Sequence, residues 1–186
     1  MNDRKLILNL IKKHAVKIAE PNCEFTLASG EKSRIYLDIK KAIFHHSAHI
    51  PLANLLYEQI SSGTFGVVKA VAGVAIGGCH LASVASLIAA LNGNDLNVLY
   101  IRKETKDHGT KSLVEGIRNK THKKVLLLED VITTGQSSIK AMHQLEDAGY
   151  SVAGTLAIAD RRAQSSNMLN ALPCKSLFSI GEIIEL

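Results

Sequence analysis

Short apolar segments that alternate with helical patterns constrain the fold of this chain more than any other feature. The four segments predicted to be strands are residues 70–76, 96–101, 125–128 and 152–159. Helical periodicity follows the first and third of them, at residues 81–91 and 137–148. Strands that are apolar on both faces and alternate with helices form a parallel sheet covered on both sides. The sequence therefore predicts an α/β fold in which ligands bind beyond the carboxyl ends of the strands.

The N-terminal third of the sequence has a different pattern. Apolar residues at helical spacing predict an amphipathic helix over residues 4–19 and a second helix over residues 49–61. Between them, short strands are predicted at residues 25–27 and 35–39, around a turn at residues 29–31. No linker, repeat or low-complexity tract divides the sequence, which predicts a single domain over its whole length.

Composition narrows the classes of function. Lys and Arg (22) exceed Asp and Glu (17), which fits a solvated basic surface, an anionic small ligand or a nucleic acid. The aromatic content of 4%, with no Trp, argues against a surface on which bases stack. Three widely spaced cysteines and the lack of an apolar run of ~18 residues predict a cytoplasmic protein without a membrane span.

The most specific motif begins where the predicted strand at residues 125–128 ends. Two adjacent carboxylates, Glu129 and Asp130, are followed by a loop at residues 133–137 that is rich in hydroxyls. Amide groups at a helix N-terminus, approached closely at Gly135, suit a phosphate. Carboxylates repel phosphate and suit sugar hydroxyls, or a metal bound to that sugar. An ordinary capped turn would need one acid, so the motif favours a pocket for ribose 5-phosphate.

A second motif, at residues 102–111, carries four cations and a histidine directly after the strand at residues 96–101. A solvated charged loop is the ordinary interpretation of such a run. Beside a phosphoribosyl pocket, however, cations would stabilise the negative charge that develops on departing pyrophosphate. A loop that closes would also keep water from the reactive sugar.

Both motifs resemble those of a known family. Residues 125–137, VLLLEDVITTGQS, resemble the signature with which type I phosphoribosyltransferases bind PRPP (5-phosphoribosyl 1-diphosphate). Residues 102–110, RKETKDHGT, resemble the catalytic loop of orotate phosphoribosyltransferases. The resemblance spans about Glu24 to Ile180. It implies the type I phosphoribosyltransferase fold, a mostly parallel sheet with helices on both faces and a small N-terminal hood, formed largely by residues 1–45 with the C-terminal segment nearby.

The resemblance also implies an activity and its partners. The activity is transfer of ribose 5-phosphate from PRPP to orotate, giving orotidine 5′-phosphate and pyrophosphate in de novo pyrimidine (UMP) biosynthesis. The cofactor is Mg²⁺, held mainly through PRPP rather than by protein ligands. The partners are PRPP, orotate and a second subunit in a homodimer that shares its active-site loops, without nucleic acid or membrane. The residues implied to be catalytic are Lys106, Asp130 and His108.

The resemblance assigns two sets of binding residues. Those implied to contact PRPP are Arg102, Lys103, Lys106, His108, Glu129, Asp130, Val131, Ile132, Thr133, Thr134, Gly135, Gln136, Ser137, Ile76 and Gly77. Those implied to contact orotate are Tyr36, Leu37, Thr133 and Arg161. A guanidinium pairs well with a carboxylate, and the spacing after the strand favours Arg161 over Arg162 for this role.

Two rival functions stay open at this point. One is another PRPP-dependent enzyme, acting on a purine or uracil, against which Arg161 and the RKETKDHG string argue. The other is a non-catalytic PRPP-sensing regulator that binds nucleic acid, against which the retained loop argues. Many family members carry lysines where this chain has Ala28 and Gly77, and those lysines touch PRPP.

Overall fold

The described part of the chain is built around a seven-stranded sheet with five parallel strands at its centre. The computed structural model describes residues 2–26, 30, 32–104, 112–116, 123–162 and 168–185. The strands are β1 (Val16–Ile18), β2 (Phe25–Thr26), β3 (Lys32–Ser33), β4 (Ile35–Leu37), β5 (Ala70–Val74), β6 (Asn97–Ile101), β7 (Val114–Gly116), β8 (Lys124–Ile132), β9 (Ser151–Asp160), β10 (Met168–Leu169) and β11 (Leu172–Ser179). The α-helices are α1 (Asp3–Leu10), α2 (Lys40–Ile43), α3 (His49–Ser61), α4 (Gly77–Leu91), α5 (Gln136–Asp147) and α6 (Ile180–Ile184). The strand order is β10-β11-β9-β8-β5-β6-β7, with antiparallel pairing at the two edges.

Strand β8 explains why helices cover both faces of the sheet. Its side chains alternate between two hydrophobic cores because successive residues of a strand project to opposite faces. Leu126 and Leu128 pack in a core with α1, α3 and α4, whereas Val125 and Leu127 pack in a second core with α5. All four side chains are fully buried. The predicted α/β fold, with a mostly parallel sheet between helices, is confirmed.

The N-terminal segment forms two small antiparallel pairs beside the main sheet, β1 with β4 and β2 with β3. The prediction of one helix over residues 4–19 is wrong in its second half. The α-helix ends at Leu10, Ile11–Ala15 is π-helical, and the chain then becomes β1. The apolar spacing stays helical through the buried Ala15, but Val16 has extended backbone and pairs across the strands with Leu37. β-branched residues favour strands where a partner strand is available, and sequence periodicity could not reveal that partner.

The two ends of the described chain meet. Arg4 of α1 donates hydrogen bonds to the carbonyl of Leu177 and to the carboxylate of Glu182 in α6. Its guanidinium also lies 4.6 Å from the ring centroid of Phe178. A capping box of Ser179 and Glu182 begins α6. Among the described residues, no helix has both the length and the apolar character required to cross a bilayer.

The turn between β5 and α4 is shorter than the sequence predicts. The helix begins at Gly77 and not at residue 81, so the turn contains little more than Ala75 and Ile76, which are joined by a cis peptide bond. A Cβ atom on Gly73 would lie 2.0 Å from the backbone carbon of Gly78. Glycine at both positions therefore lets strand and helix backbones touch, which brings the N-terminus of α4 to the carboxyl edge of the sheet.

Candidate active site

Asp130 lies near the carboxyl end of β8 and faces the turn after β5. A Cβ atom on Gly77 would lie 2.6 Å from Asp130 Oδ2, so the glycine leaves the space that the carboxylate occupies. Asp130 Oδ1 accepts a hydrogen bond from the backbone N–H of Val131 at 3.0 Å. Its Oδ2 lies 3.4 Å from Lys40 Nζ. This carboxylate is 19% exposed, so it is held in place and still accessible to a ligand.

Glu129, the neighbouring acid, has a different environment. Its side chain is only 4% exposed, and its Oε1 accepts a hydrogen bond from Ser138 Oγ at 2.9 Å. Burial raises the pKa of Glu129 to about 7; the charge of Asp130 also raises it, while the Ser138 hydroxyl and the charge of Lys103 oppose the shift. Ser138 was not predicted from the sequence. A hydroxyl in the first turn of the helix that follows the strand is the signal that could have identified it.

The loop between β8 and α5 brings a helix N-terminus to the same edge of the sheet. Gly135, the N-cap residue, has a φ of 83°, a left-handed conformation that glycine adopts readily. Gly135 has no side chain that could cap the helix, and the Thr134 hydroxyl accepts a hydrogen bond from the backbone N–H of Gln136 at 3.4 Å. The exposed polar residues of this loop are Thr133, Thr134, Gln136 and Ser137. Backbone donors at the positive end of a helix suit an anionic group such as phosphate.

A cavity of about 390 Å³ connects these elements. The residues that line it are Lys40, Val74, Ala75, Ile76, Gly77, Lys103, Glu129, Asp130, Val131 and Ser137. Seven of them were predicted to contact PRPP: Ile76, Gly77, Lys103, Glu129, Asp130, Val131 and Ser137. The fold thus brings together three segments around one cavity. They are the acidic signature (residues 125–137), the glycine turn (residues 75–77) and part of the basic motif (residues 102–111).

The basic motif is described only in part. Lys103 lines this cavity and also a neighbouring one of about 400 Å³, which Arg102 lines as well. Arg102 Nε lies 3.1 Å from Glu115 Oε1 on the edge strand β7, and both side chains are partly exposed. Lys106 and His108, which were predicted to be catalytic, lie outside the described residues. Among the residues that are described, Lys40 is a second cation on the wall of the first cavity, and the sequence analysis did not indicate it.

Arg161 connects the sheet to the N-terminal hood. Its Nη2 lies 3.2 Å from the carbonyl oxygen of Ile35 and 3.5 Å from Ser33 Oγ. Tyr36 on the same hood strand is 38% exposed, and its ring centroid lies 5.5 Å from that of Phe25. A guanidinium and an aromatic ring are therefore available on the hood side, which suits a planar anion.

Two other residues predicted to contact ligands have buried side chains. Leu37 is 8% exposed because it packs in the core under the hood, and Ile132 is 1% exposed in the core beneath α5. The carbonyl of Ile132 accepts a hydrogen bond from the backbone N–H of Arg161 at 2.8 Å. Neither of these two residues lines the 390 Å³ cavity.

Arg162 stabilises the fold through an ion pair with Asp160, the last residue of β9. Its Nη2 lies 2.6 Å from Asp160 Oδ2, and its Nε lies 3.0 Å from each carboxylate oxygen. The two side chains are only 13% and 4% exposed. Hydrogen bonding to Asp160 raises the pKa of Arg162. The neighbouring arginines therefore have different environments: Arg162 pairs with Asp160, and Arg161 contacts the hood.

In the described ranges, no group of three or more His, Cys, Asp or Glu side chains is arranged to hold a metal ion. The carboxylates on the cavity wall are Glu129 and Asp130. Because burial keeps Glu129 partly protonated near neutral pH, Asp130 is the stronger oxygen ligand of the two.

Comparisons with known proteins agree with this geometry. A family model described as a phosphoribosyl transferase domain matches residues 40–180. Orotate phosphoribosyltransferase from Sorangium cellulosum is 43% identical over 146 residues, which cover 78% of this chain and 75% of the relative. The Aquifex aeolicus orotate phosphoribosyltransferase is 31% identical, with 99% of each chain covered. The crystal structure of Mycobacterium tuberculosis orotate phosphoribosyltransferase in complex with PRPP has a TM-score of 0.74 and 25% identity, covering 97% of this chain and 98% of that one. The chain therefore belongs to the phosphoribosyltransferase family and, within it, to the orotate phosphoribosyltransferases.

Proposed function

We propose that this protein transfers the 5-phosphoribosyl group of PRPP to N1 of orotate and releases pyrophosphate. In this reaction the C1–O bond breaks, pyrophosphate takes the bonding electron pair, and orotate N1 bonds to C1 as its proton is released. The observation that carries the proposal is the cavity at the carboxyl edge of the sheet, where the acidic signature faces a glycine turn and two lysines. The reaction is a step of de novo pyrimidine biosynthesis, and we place it in the cytoplasm.

The ribose and its 5-phosphate are proposed to bind along β8 and α5. Asp130 accepts hydrogen bonds from the ribose hydroxyls, and Glu129 supports it from a more buried position. The 5-phosphate lies against the loop at residues 133–137, where glycine and hydroxyl groups surround the N-terminus of α5. Because Glu129 has a pKa of about 7, it can donate as well as accept a hydrogen bond near neutral pH.

The pyrophosphate end is proposed to lie between the turn after β5 and the basic motif. Ile76 lies in the turn, Gly77 begins α4, and Lys103 faces the same cavity. Cations placed where negative charge develops lower the barrier for departure of pyrophosphate. Arg102, Lys106 and His108 are proposed to complete this contact, with Lys106 as the most important for catalysis.

Orotate is proposed to bind between the hood and the end of β9. The Arg161 guanidinium would pair with the orotate carboxylate, and Tyr36 would pack against its ring. Leu37 is proposed to contact orotate through its backbone, and Thr133 through its backbone or its hydroxyl. An anionic base explains why a cation lies at this position, whereas the rival purine or uracil substrates carry no carboxylate for it.

Mg²⁺ fits this site as a substrate-bound cofactor. A hard cation needs several oxygen ligands, and the cavity wall offers mainly the Asp130 carboxylate. The diphosphate and hydroxyls of PRPP would supply the remaining oxygens. When bound, the cation would neutralise charge on the leaving pyrophosphate.

The active form is proposed to be a homodimer in which the loop at residues 102–111 reaches the partner subunit's site. Large apolar side chains on neighbouring helices support an interface: Ile50 of α3 is 73% exposed, and Leu87 and Leu91 of α4 are 61% and 75% exposed. Burial of such side chains stabilises association.

Orotate consumption in the presence of PRPP and Mg²⁺ tests the function directly. We expect turnover by the native protein and at least a ~100-fold lower rate for Lys106→Ala, the scale of losing one preorganised charge contact. Adenine, hypoxanthine and uracil serve as competing substrates. Turnover of one of these without turnover of orotate would identify the rival enzyme, and PRPP binding without any turnover would favour the sensing regulator.

A further inference from the structure

Lys40 lies on the cavity wall, on the hood side of the acidic signature. It is the first residue of α2, and its Nζ lies 3.0 Å from Asp38 Oδ1 and 3.4 Å from Asp130 Oδ2. The lysine side chain is 45% exposed, whereas the two carboxylates are 21% and 19% exposed. Burial lowers the pKa of Lys40, but the two carboxylates outweigh that effect and raise the pKa above its ordinary value. A cation is thus held between two acids and still faces the cavity.

Among the described residues, the cavity wall formed by the turn after β5 and the start of α4 carries no charged side chain. The Asp130 carboxylate occupies the space that a side chain at position 77 would need, and Ile76 is apolar. A diphosphate bound there would meet the negative charge of Asp130 beside the partly protonated Glu129. Among the described residues, compensation must come from Lys103 at the end of β6 and from Lys40 on the hood side.

We propose that Lys40 binds the diphosphate of PRPP, a role that depends on the PRPP-dependent reaction proposed above. In the free protein Lys40 neutralises Asp130. When the ribose hydroxyls become hydrogen-bond donors to Asp130, the ammonium group turns to the diphosphate oxygens. Lys40 is a substrate-binding residue in this scheme.

Asp38 keeps Lys40 in position during this exchange. Asp38 Oδ1 is buried, and the ammonium group at 3.0 Å compensates its charge. Losing that partner would leave the buried Oδ1 atom without a cation beside it, so the ion pair persists when Asp130 binds the sugar. Asp38 follows directly after β4, the strand that carries Tyr36. The same short segment therefore contributes to both halves of the site.

Calorimetric titration of the full chain tests the proposal without turnover. The probes are PRPP, pyrophosphate and ribose 5-phosphate, each with magnesium chloride. For Lys40→Met we expect roughly 10-fold weaker binding of PRPP and of pyrophosphate, the scale of one charge-assisted contact at a partly exposed position. Binding of ribose 5-phosphate should change less than twofold, and Lys40→Arg should restore most of the affinity. Lys41→Met is the matched control, because Lys41 is the exposed neighbour in the same helix.

Melting temperatures of the three variants show whether each is folded. If Lys40→Met is too unstable to titrate, the comparison of Lys40→Arg and Lys40→Gln replaces it. Equal losses for Lys40→Met and Lys41→Met would overturn the proposal, since they would indicate a general field effect. A loss confined to ribose 5-phosphate would also overturn it. Native protein that binds PRPP but does not consume orotate would refute the orotate reaction alone, whereas failure to bind PRPP would refute both.

Discussion

Replacement of Arg161 and of Arg162 by alanine should separate substrate binding from stability at two adjacent positions. The Arg162 side chain donates hydrogen bonds of 2.6–3.0 Å to both carboxylate oxygens of Asp160, whose side chain is 4% exposed. Removing one partner of a buried ion pair costs about 3–5 kcal/mol because the other charge stays buried. With ~2.1 cal/mol/K of unfolding entropy per residue, that loss lowers Tm by roughly 8–13 °C in a chain of 186 residues.

Arg161 should behave in the opposite way. Its Nη2 contacts Ile35 and Ser33 of the hood at 3.2 and 3.5 Å, and because these partners are neutral, Arg161→Ala should lower stability less than Arg162→Ala. Loss of a charge-assisted pair with the substrate carboxylate, however, costs ~2 kcal/mol or more. We expect at least a ~30-fold fall in kcat/KM for orotate, a rise in KM for orotate, and an unchanged KM for PRPP.

Calorimetric melting and steady-state kinetics on both variants provide the measurement. The double variant Asp160→Asn/Arg162→Ala is the control, because it leaves no buried unpaired charge and should regain part of the lost stability. Similar losses of Tm for both arginine variants would contradict the assignment. So would an orotate KM that rises for Arg162→Ala and stays constant for Arg161→Ala.

Two further predictions concern the acidic signature. Glu129 has a pKa of about 7 in the folded chain, whereas its ordinary pKa is 4.5. Its contribution to the free energy of unfolding is therefore full below pH 4.5 and is lost as the pH rises through 7. The total loss is up to ~3 kcal/mol. Glu129→Gln should therefore gain Tm relative to the native protein between pH 5 and pH 8, and a constant difference would argue against the raised pKa. Gly77→Ala should weaken PRPP binding ~10-fold or more, because its Cβ would lie 2.6 Å from Asp130 Oδ2. Gly181→Ala is the control, because the nearest atom recorded around the new methyl group is Ser179 Oγ at 3.9 Å. Equal losses of PRPP affinity for the two variants would refute steric displacement of Asp130.

The architecture was predictable because its signal is local. The apolar run at residues 125–128 is buried on both sides of the sheet, and Glu129, Asp130 and Val131 directly after it line the cavity. A parallel strand followed by a helix always brings its carboxyl end and the helix N-terminus to one edge. The acidic signature and the glycine turn could therefore be placed together without knowledge of the packing.

The residues that sequence reasoning missed depend on contacts between distant segments. Lys40 and Asp130 are 90 positions apart, and nothing in the local pattern around Lys40 differs from an ordinary charged helix start. The local pattern does not predict the short strand β1, because its partner, β4, lies about 20 residues away. Ser138 is closer, but its hydroxyl became informative only once the packing of α5 placed it 2.9 Å from Glu129.

The sequence presented Glu129 and Asp130 as an equivalent pair, and the geometry of β8 makes them unequal. Adjacent strand residues project to opposite faces, so one acid is buried against α5 while the other meets the glycine turn and Lys40. Burial then raises the pKa of Glu129 to about 7, so this acid is partly protonated near neutral pH. Two full negative charges at this edge would oppose a substrate that itself carries phosphates. A signature with one partly neutral acid and one lysine-paired acid keeps two hydrogen-bonding groups for a sugar while limiting the repulsion of its phosphates.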